Sequence, residues 1–209
     1  MIDLTFSALA NRDTARTRLT RCAVVILLAV LPLACSSKPP AKVYLLEPVF
    51  DLQAEVPAAN IQALGLAVVT LPGYATDQRI ASRGERARIL LDDDHEWADS
   101  PDEAITRVLA HRLQDFADAD VLIEPWPRGY DPEARIEVVF DRLLREPTGG
   151  AEMAGQIRII AGDGRRVLGV KRFQFIRYAN SQDPSAYFES VAMGINDVAR
   201  MITAELRGS

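Results

Sequence analysis

The strongest constraint on this chain is that its first 34 residues are written for export rather than for folding. Arg12, Arg16, Arg18 and Arg21 precede a 13-residue apolar stretch from Cys22 to Ala34. A basic segment, a short apolar core and a small residue before the cut describe a secretory signal peptide. The stretch falls well short of the roughly 20 residues a membrane-spanning helix needs. The run Leu31-Pro32-Leu33-Ala34-Cys35 sets a cysteine directly after the cut. That is the arrangement of a bacterial lipoprotein signal, in which the thiol accepts a diacylglycerol before cleavage. The expected organisation is a cleaved leader over residues 1–34, a lipidated tether over 35–42 and one domain over 43–209, with Cys35 as the lipidation site. An ordinary signal peptide cut near a cysteine is the plainer alternative.

What remains after the leader must fold without covalent help. Cys22 leaves with the leader and Cys35 carries the lipid, so no thiol is left for a disulfide, a metal site or a nucleophile. The leader also removes four arginines and two aspartates, taking the net charge from −5 to about −7. Such a chain gains nothing from phosphate backbones, so nucleic acid is not an expected partner. Membrane affinity has to come from the acyl chains rather than from attraction to anionic headgroups. Residues 35–209 are enough for one ordinary domain with a sizeable core.

Along that domain, Lys42–Glu47 reads as a first strand and Ile61–Leu71 as a second, closed by Pro72-Gly73. Gln78–Ser82 and Ala87–Leu91 read as a hairpin around Arg83-Gly84-Glu85. Ser100-Pro101-Asp102-Glu103 has the form of a capping box with proline at the first helical position. Behind it Ile105, Val108, Leu109, Leu113 and Phe116 form one apolar helical stripe. Val121–Glu124 and Arg135–Arg145 read as strands, and Met153–Ile160 with Val167–Tyr178 as a hairpin about Gly162-Asp163-Gly164. A closing helix starts at Asp183-Pro184, its apolar face built on Phe188, Val191, Ile195, Val198 and Ile202. The expected fold class is α+β, an antiparallel sheet with two amphipathic helices packed on one side of a single domain.

Candidate chemistry is sparse. The run Asp92-Asp93-Asp94-His95-Glu96 lacks the spacing and glycine of a calcium loop and the further histidines of a zinc site, so it reads as a solvated loop. His95 and His111 are the only imidazoles, and His111 lies at the edge of the helical stripe. No serine stands in a nucleophile elbow and no glycine-rich phosphate loop occurs. The chain is therefore not expected to be an enzyme, nor to carry a cofactor or metal. Tyr74, Trp97, Trp126 and Tyr130 fall in turn-like segments. Tyr74 and Trp97 are the candidates for a partner interface.

The mature chain resembles the ABC-type transport auxiliary lipoproteins of the paraquat-inducible type. The resemblance rests on Tyr44-Leu45-Leu46 shortly after Cys35, and on Ala67-Val68-Val69-Thr70 running into Leu71-Pro72-Gly73-Tyr74. It continues through Gln78-Arg79-Ile80, Arg83, Trp97-Ala98 and Val108-Leu109-Ala110-His111-Arg112-Leu113. It implies a non-enzymatic docking subunit whose partners are a periplasm-spanning MCE-domain protein and its inner-membrane permease system. It also implies anchoring to the periplasmic face of the outer membrane, with which Ser36 after the lipid cysteine agrees, and it leaves room for a homo-oligomer. Two other readings stay open: a lipoprotein scaffold for peptidoglycan synthesis or lipopolysaccharide export, and a lipid-anchored hydrolase using His95 or His111.

Overall fold

A computed structural model describes residues 38–49, 61–179 and 183–208. By its internal contacts the chain divides into two units, Met1–Pro40 and Ala41–Ser209. The second contains eight strands and two helices: β1 (Lys42–Tyr44), β2 (Ala63–Leu66), β3 (Arg79–Arg83), β4 (Ile89–Trp97), α1 (Pro101–Ala117), β5 (Asp120–Ile123), β6 (Ala134–Arg145), β7 (Ala151–Ala161), β8 (Val167–Arg177) and α2 (Ser185–Gly208).

The sheet is mixed, which corrects the expectation of an antiparallel one. Only the pairs joined by short turns, β3–β4, β6–β7 and β7–β8, run antiparallel. The pairs β1–β4, β2–β5, β2–β6 and β3–β6 are parallel. Their connections are long, and long connections carry parallel pairing; the one between β2 and β5 contains α1. β6 organises the sheet. One of its edges pairs with β7 along its length, while the other serves β2 at its start and β3 at its end.

Alternation along β6 turns Ala134, Ile136, Val138 and Phe140 into a single core with Ile157 and Ile159 of β7. The helices complete that core. Ile105, Val108, Leu109, Leu113 and Phe116 of α1 are at most 5% exposed, as are Val191, Ile195, Val198 and Ile202 of α2. At about 25 cal/mol per Å² of apolar surface, each such side chain contributes roughly 1.5–3 kcal/mol before the entropy of ordering it.

Three local findings differ from the sequence reading. The Ser100 hydroxyl donates to the Asp102 carboxylate, and no side chain caps the first turn of α1. The acidic run is not a loop: Asp92–Glu96 lies inside β4, between β3 and β1. The strand that starts at Ala63 leaves its ladder after Leu66, and Thr70 returns to β6 only as an isolated bridge to Val139. At Val69 the backbone amide instead donates to Thr106 Oγ1 of α1, 3.0 Å away.

In the β7–β8 turn, glycine is needed twice for different reasons. Gly164 has φ +71°, a left-handed conformation that glycine adopts freely. Gly162 is held by proximity, since a Cβ there would stand 1.8 Å from the Pro132 carbonyl oxygen.

Candidate site at the Arg83–Arg145 end of the sheet

An open groove of about 540 Å³ lies at one end of the sheet. The ends of β3 and β6 bring Ser82, Arg83 and Arg145, which the Ser82–Arg145 pairing sets side by side. The β6–β7 turn adds Glu146 to Gly149, the approach to α2 adds Asp183 and Pro184, and the first turn of α2 adds Tyr187. The Tyr187 ring forms part of the wall and is 2% exposed, and burial pushes its phenol well above the ordinary value.

The guanidinium groups are fixed from behind. Glu152 on β7 is 7% exposed and takes Arg83 Nη2 and Arg142 Nη1 on its two oxygens, each at 2.5 Å. Burial raises the Glu152 carboxyl, but the hydrogen bonds from Arg142 and Arg83 outweigh it, so the group lies below its ordinary value. Asp92 does the same for Arg145, at 2.8 Å from its Nη1, with His95 Nδ1 3.1 Å from the same oxygen. For Asp92 too, burial raises the carboxyl while the Asp94 amide, His95 and Arg145 bring it down further.

Arg79 bonds Asp77 at 2.8 Å and holds that carboxyl at about 2. Asp183 accepts the Ser185 amide at 2.9 Å and is lowered by Ser185 first, with Lys42 and His95 adding attraction. Each guanidinium has five N–H donors, so Arg83 and Arg145 keep donors for the groove. Their side chains remain 46% and 26% exposed.

A second open groove of about 350 Å³ lies on the sheet face away from the helices. Its charges form a closed ladder, Glu124–Arg135 at 3.0 Å, Arg135–Glu137 at 3.5 Å and Glu137–Arg158 at 2.7 Å.

The structure treats the candidates from the sequence unevenly. Cys35 lies outside the described residues. Trp97 ends β4 and is 4% exposed, packed edge-on against Phe188 at 4.9 Å and Tyr187 at 6.0 Å. This corrects its assignment to an interface, because a ring buried in the core offers a partner no surface. Tyr74 is half-buried in a 3-10 turn, with its hydroxyl 3.4 Å from the Leu143 amide. Trp126 covers Gly65, where a Cβ would meet its ring at 2.8 Å, and the Tyr130 hydroxyl lies 2.8 Å from the Leu64 carbonyl oxygen. His95 is engaged with Asp92 on β4, and His111 is exposed on α1. Among the described residues no three His, Cys, Asp or Glu side chains converge as metal ligands. No described helix is long and apolar enough to cross a membrane. The groove itself escaped the sequence reading, because its charged residues are scattered from Arg83 to Asp183; Arg83 entered only as a hairpin-turn residue and as one residue of the resemblance.

A family model described as the ABC-type transport auxiliary lipoprotein component matches residues 44–203, from the stacking partner of Phe188 on β1 to the last turns of α2. The chain belongs to that family. Its members are auxiliary lipoprotein components of ABC-type transport, which bears out the resemblance stated from the sequence. A solved structure of a Xanthomonas campestris protein of family DUF330 is similar over 79% of this chain and 95% of its own, at 13% identity and a TM-score of 0.64. A second solved structure, of an uncharacterized protein, covers 80% of this chain and 99% of its own, at 15% identity and a TM-score of 0.64. These likenesses concern the fold. Among curated proteins there is no match.

Proposed function

We propose that this chain is a lipid-anchored, non-enzymatic subunit that docks an MCE-type ABC lipid transport complex at the periplasmic face of the outer membrane. The carrying observation is the family match over residues 44–203, which begins nine residues after the cysteine of a lipoprotein-type leader. In this reading Cys35 is acylated, residues 35–42 are the tether and the domain from residue 43 is the docking body. Its partners are a periplasm-spanning MCE-domain protein and the inner-membrane permease that feeds it. Tyr74 is the candidate contact that remains, half-buried beside the exposed Gly73.

The test is affinity isolation of the full-length protein from detergent-solubilised envelopes at native expression. Recovery of an MCE-domain protein supports the reading. Its absence, with a penicillin-binding protein or an outer-membrane barrel recovered instead, replaces it by the scaffold alternative.

A further inference from the structure

Among the described residues β8 pairs with β7 alone. Its other side is an open sheet edge 11 residues long, from Val167 to Arg177, along which every second residue turns its N–H and C=O outward. Native sheets usually shorten, cover or charge such an edge, because it is a ready template for another strand. Here the edge is long, and much of its charge is drawn back onto α2. Lys171 reaches Glu205 at 3.4 Å, and Arg177 reaches Asp197 at 2.5 Å. Alternation then sets Val170, Arg172, Gln174 and Ile176 on the face away from the helices, with Val170 and Ile176 53% and 40% exposed.

The residue pattern of β8 decides what suits that edge. In an antiparallel pair, residues directly opposite share a face, and like charges there are destabilising. Two copies of β8 can meet about a two-fold axis normal to the sheet, which leaves both α2 helices on one side. The residue on the axis sets the register. With Arg172 there, the arginine meets itself; with Gln174 there, Lys171 meets Arg177. With Phe173 on the axis no like charges stand opposite. Val170 then faces Ile176, Arg172 faces Gln174, Lys171 faces Phe175 and Gly169 faces Arg177. The exposed aliphatic side chains close on each other, and Arg172 gains an amide oxygen to donate to. A slip of one residue would set the buried Phe173 opposite Arg172 or Gln174 of the other copy and split the helices between the two faces. In the Phe173 register the strands overlap fully and exchange about ten hydrogen bonds, the number usual in a specific protein–protein interface.

We propose that β8 is the surface through which two copies of this chain join, antiparallel and centred on Phe173, into one continuous sheet. Neither Cys35 nor its lipid enters this pairing.

The test uses the full-length chain in non-ionic detergent, with Cys22→Ser and Cys35→Ser removing both native thiols. Val170→Cys and Ile176→Cys are made separately, mixed and mildly oxidised. Opposite residues of an antiparallel pair have Cα atoms about 4.5–5.5 Å apart, within disulfide range. Val170 and its own copy are about 20 Å apart along the strands. Disulfide dimers are therefore expected in the mixture and absent from either variant alone. Sedimentation equilibrium then compares two charge variants, both altered only at exposed positions. Val170→Lys with Ile176→Lys sets two like-charged pairs across the axis, whereas Val170→Lys with Ile176→Glu sets two opposite-charged pairs. The first is expected to have a dissociation constant about ten-fold higher than the second. Equal constants, disulfides within a single variant, or a chain that sediments as a monomer throughout overturns the proposal. Monomers that crosslink through Val170→Cys to a different envelope protein give the edge to a foreign strand, and overturn it as well.

Discussion

Replacing Glu152 by glutamine tests whether the buried carboxylate holds the two arginines as charge or merely as shape. In the native protein each oxygen accepts a charge-assisted bond, from Arg83 and from Arg142. Such bonds contribute about 1.5–3 kcal/mol against about 0.5–1.5 for neutral ones; in glutamine one oxygen still accepts, at a loss of roughly 1 kcal/mol, while the other guanidinium faces an NH2 donor and must turn to water. The guanidinium side chains are 46% and 38% exposed and recover hydration, which lowers the net loss to about 1 kcal/mol. With a urea m-value of about 2 kcal/mol/M, Glu152→Gln shifts the midpoint down by about 0.5 M at pH 7. Fluorescence of the buried Trp97 reports the transition. The pH dependence supplies the sign. The folded carboxyl lies below its ordinary value of 4.5, so the unfolded chain binds the proton more readily. The advantage of the native protein over Glu152→Gln is therefore complete above about pH 4.5 and fades as pH falls through the folded value. Equal midpoints at pH 7, or a gap that widens on acidification, would refute the electrostatic account.

Other outcomes follow from the packing. Thr106→Val keeps the shape but removes the acceptor of the buried Val69 amide, and costs about 1–3 kcal/mol in the same urea assay. Ser100→Ala, by contrast, changes stability by less than about 0.5 kcal/mol, because Ser100 makes no capping bond here; a loss near the usual ~1 kcal/mol would restore the capping box. Gly155→Ala drives a Cβ to 2.2 Å from the Val139 carbonyl oxygen and 2.9 Å from the Phe173 ring. The strands must part, and the melting temperature falls by several degrees, as overpacking of about 1–3 kcal/mol requires in a domain of this size.

What the sequence revealed was local. The stripe from Ile105 to Phe116, and the turn glycine at 164, act over a few residues, and their elements stand where the pattern set them. Strand direction is not local. β2 pairs in parallel with both β5 and β6, and nothing inside Ala63–Leu66 marks that choice. Asp92–Glu96 misled because its charges are answered from a distance. Arg145 meets Asp92 and Arg79 meets Asp93, so a run that looks solvated becomes a sheet strand. Trp97 misled in the opposite way: preceded by the run Asp92–Glu96, it ends β4 facing Tyr187 and Phe188, which arrive from the far end of the chain. The groove was invisible for the same reason. Arg83, Arg145, Glu146 and Asp183 share no motif; the join of β3 to β6, the β6–β7 turn and the approach to α2 collect them.

The anchored-auxiliary reading stands or falls at Cys35. The most direct measurement is metabolic acyl labelling of the full-length protein and of Cys35→Ser, followed by density-gradient separation of the two membranes. The reading predicts that the native protein carries label and bands with the outer membrane, while Cys35→Ser is unlabelled. Label retained by Cys35→Ser, or a labelled protein that bands with the inner membrane, would contradict it.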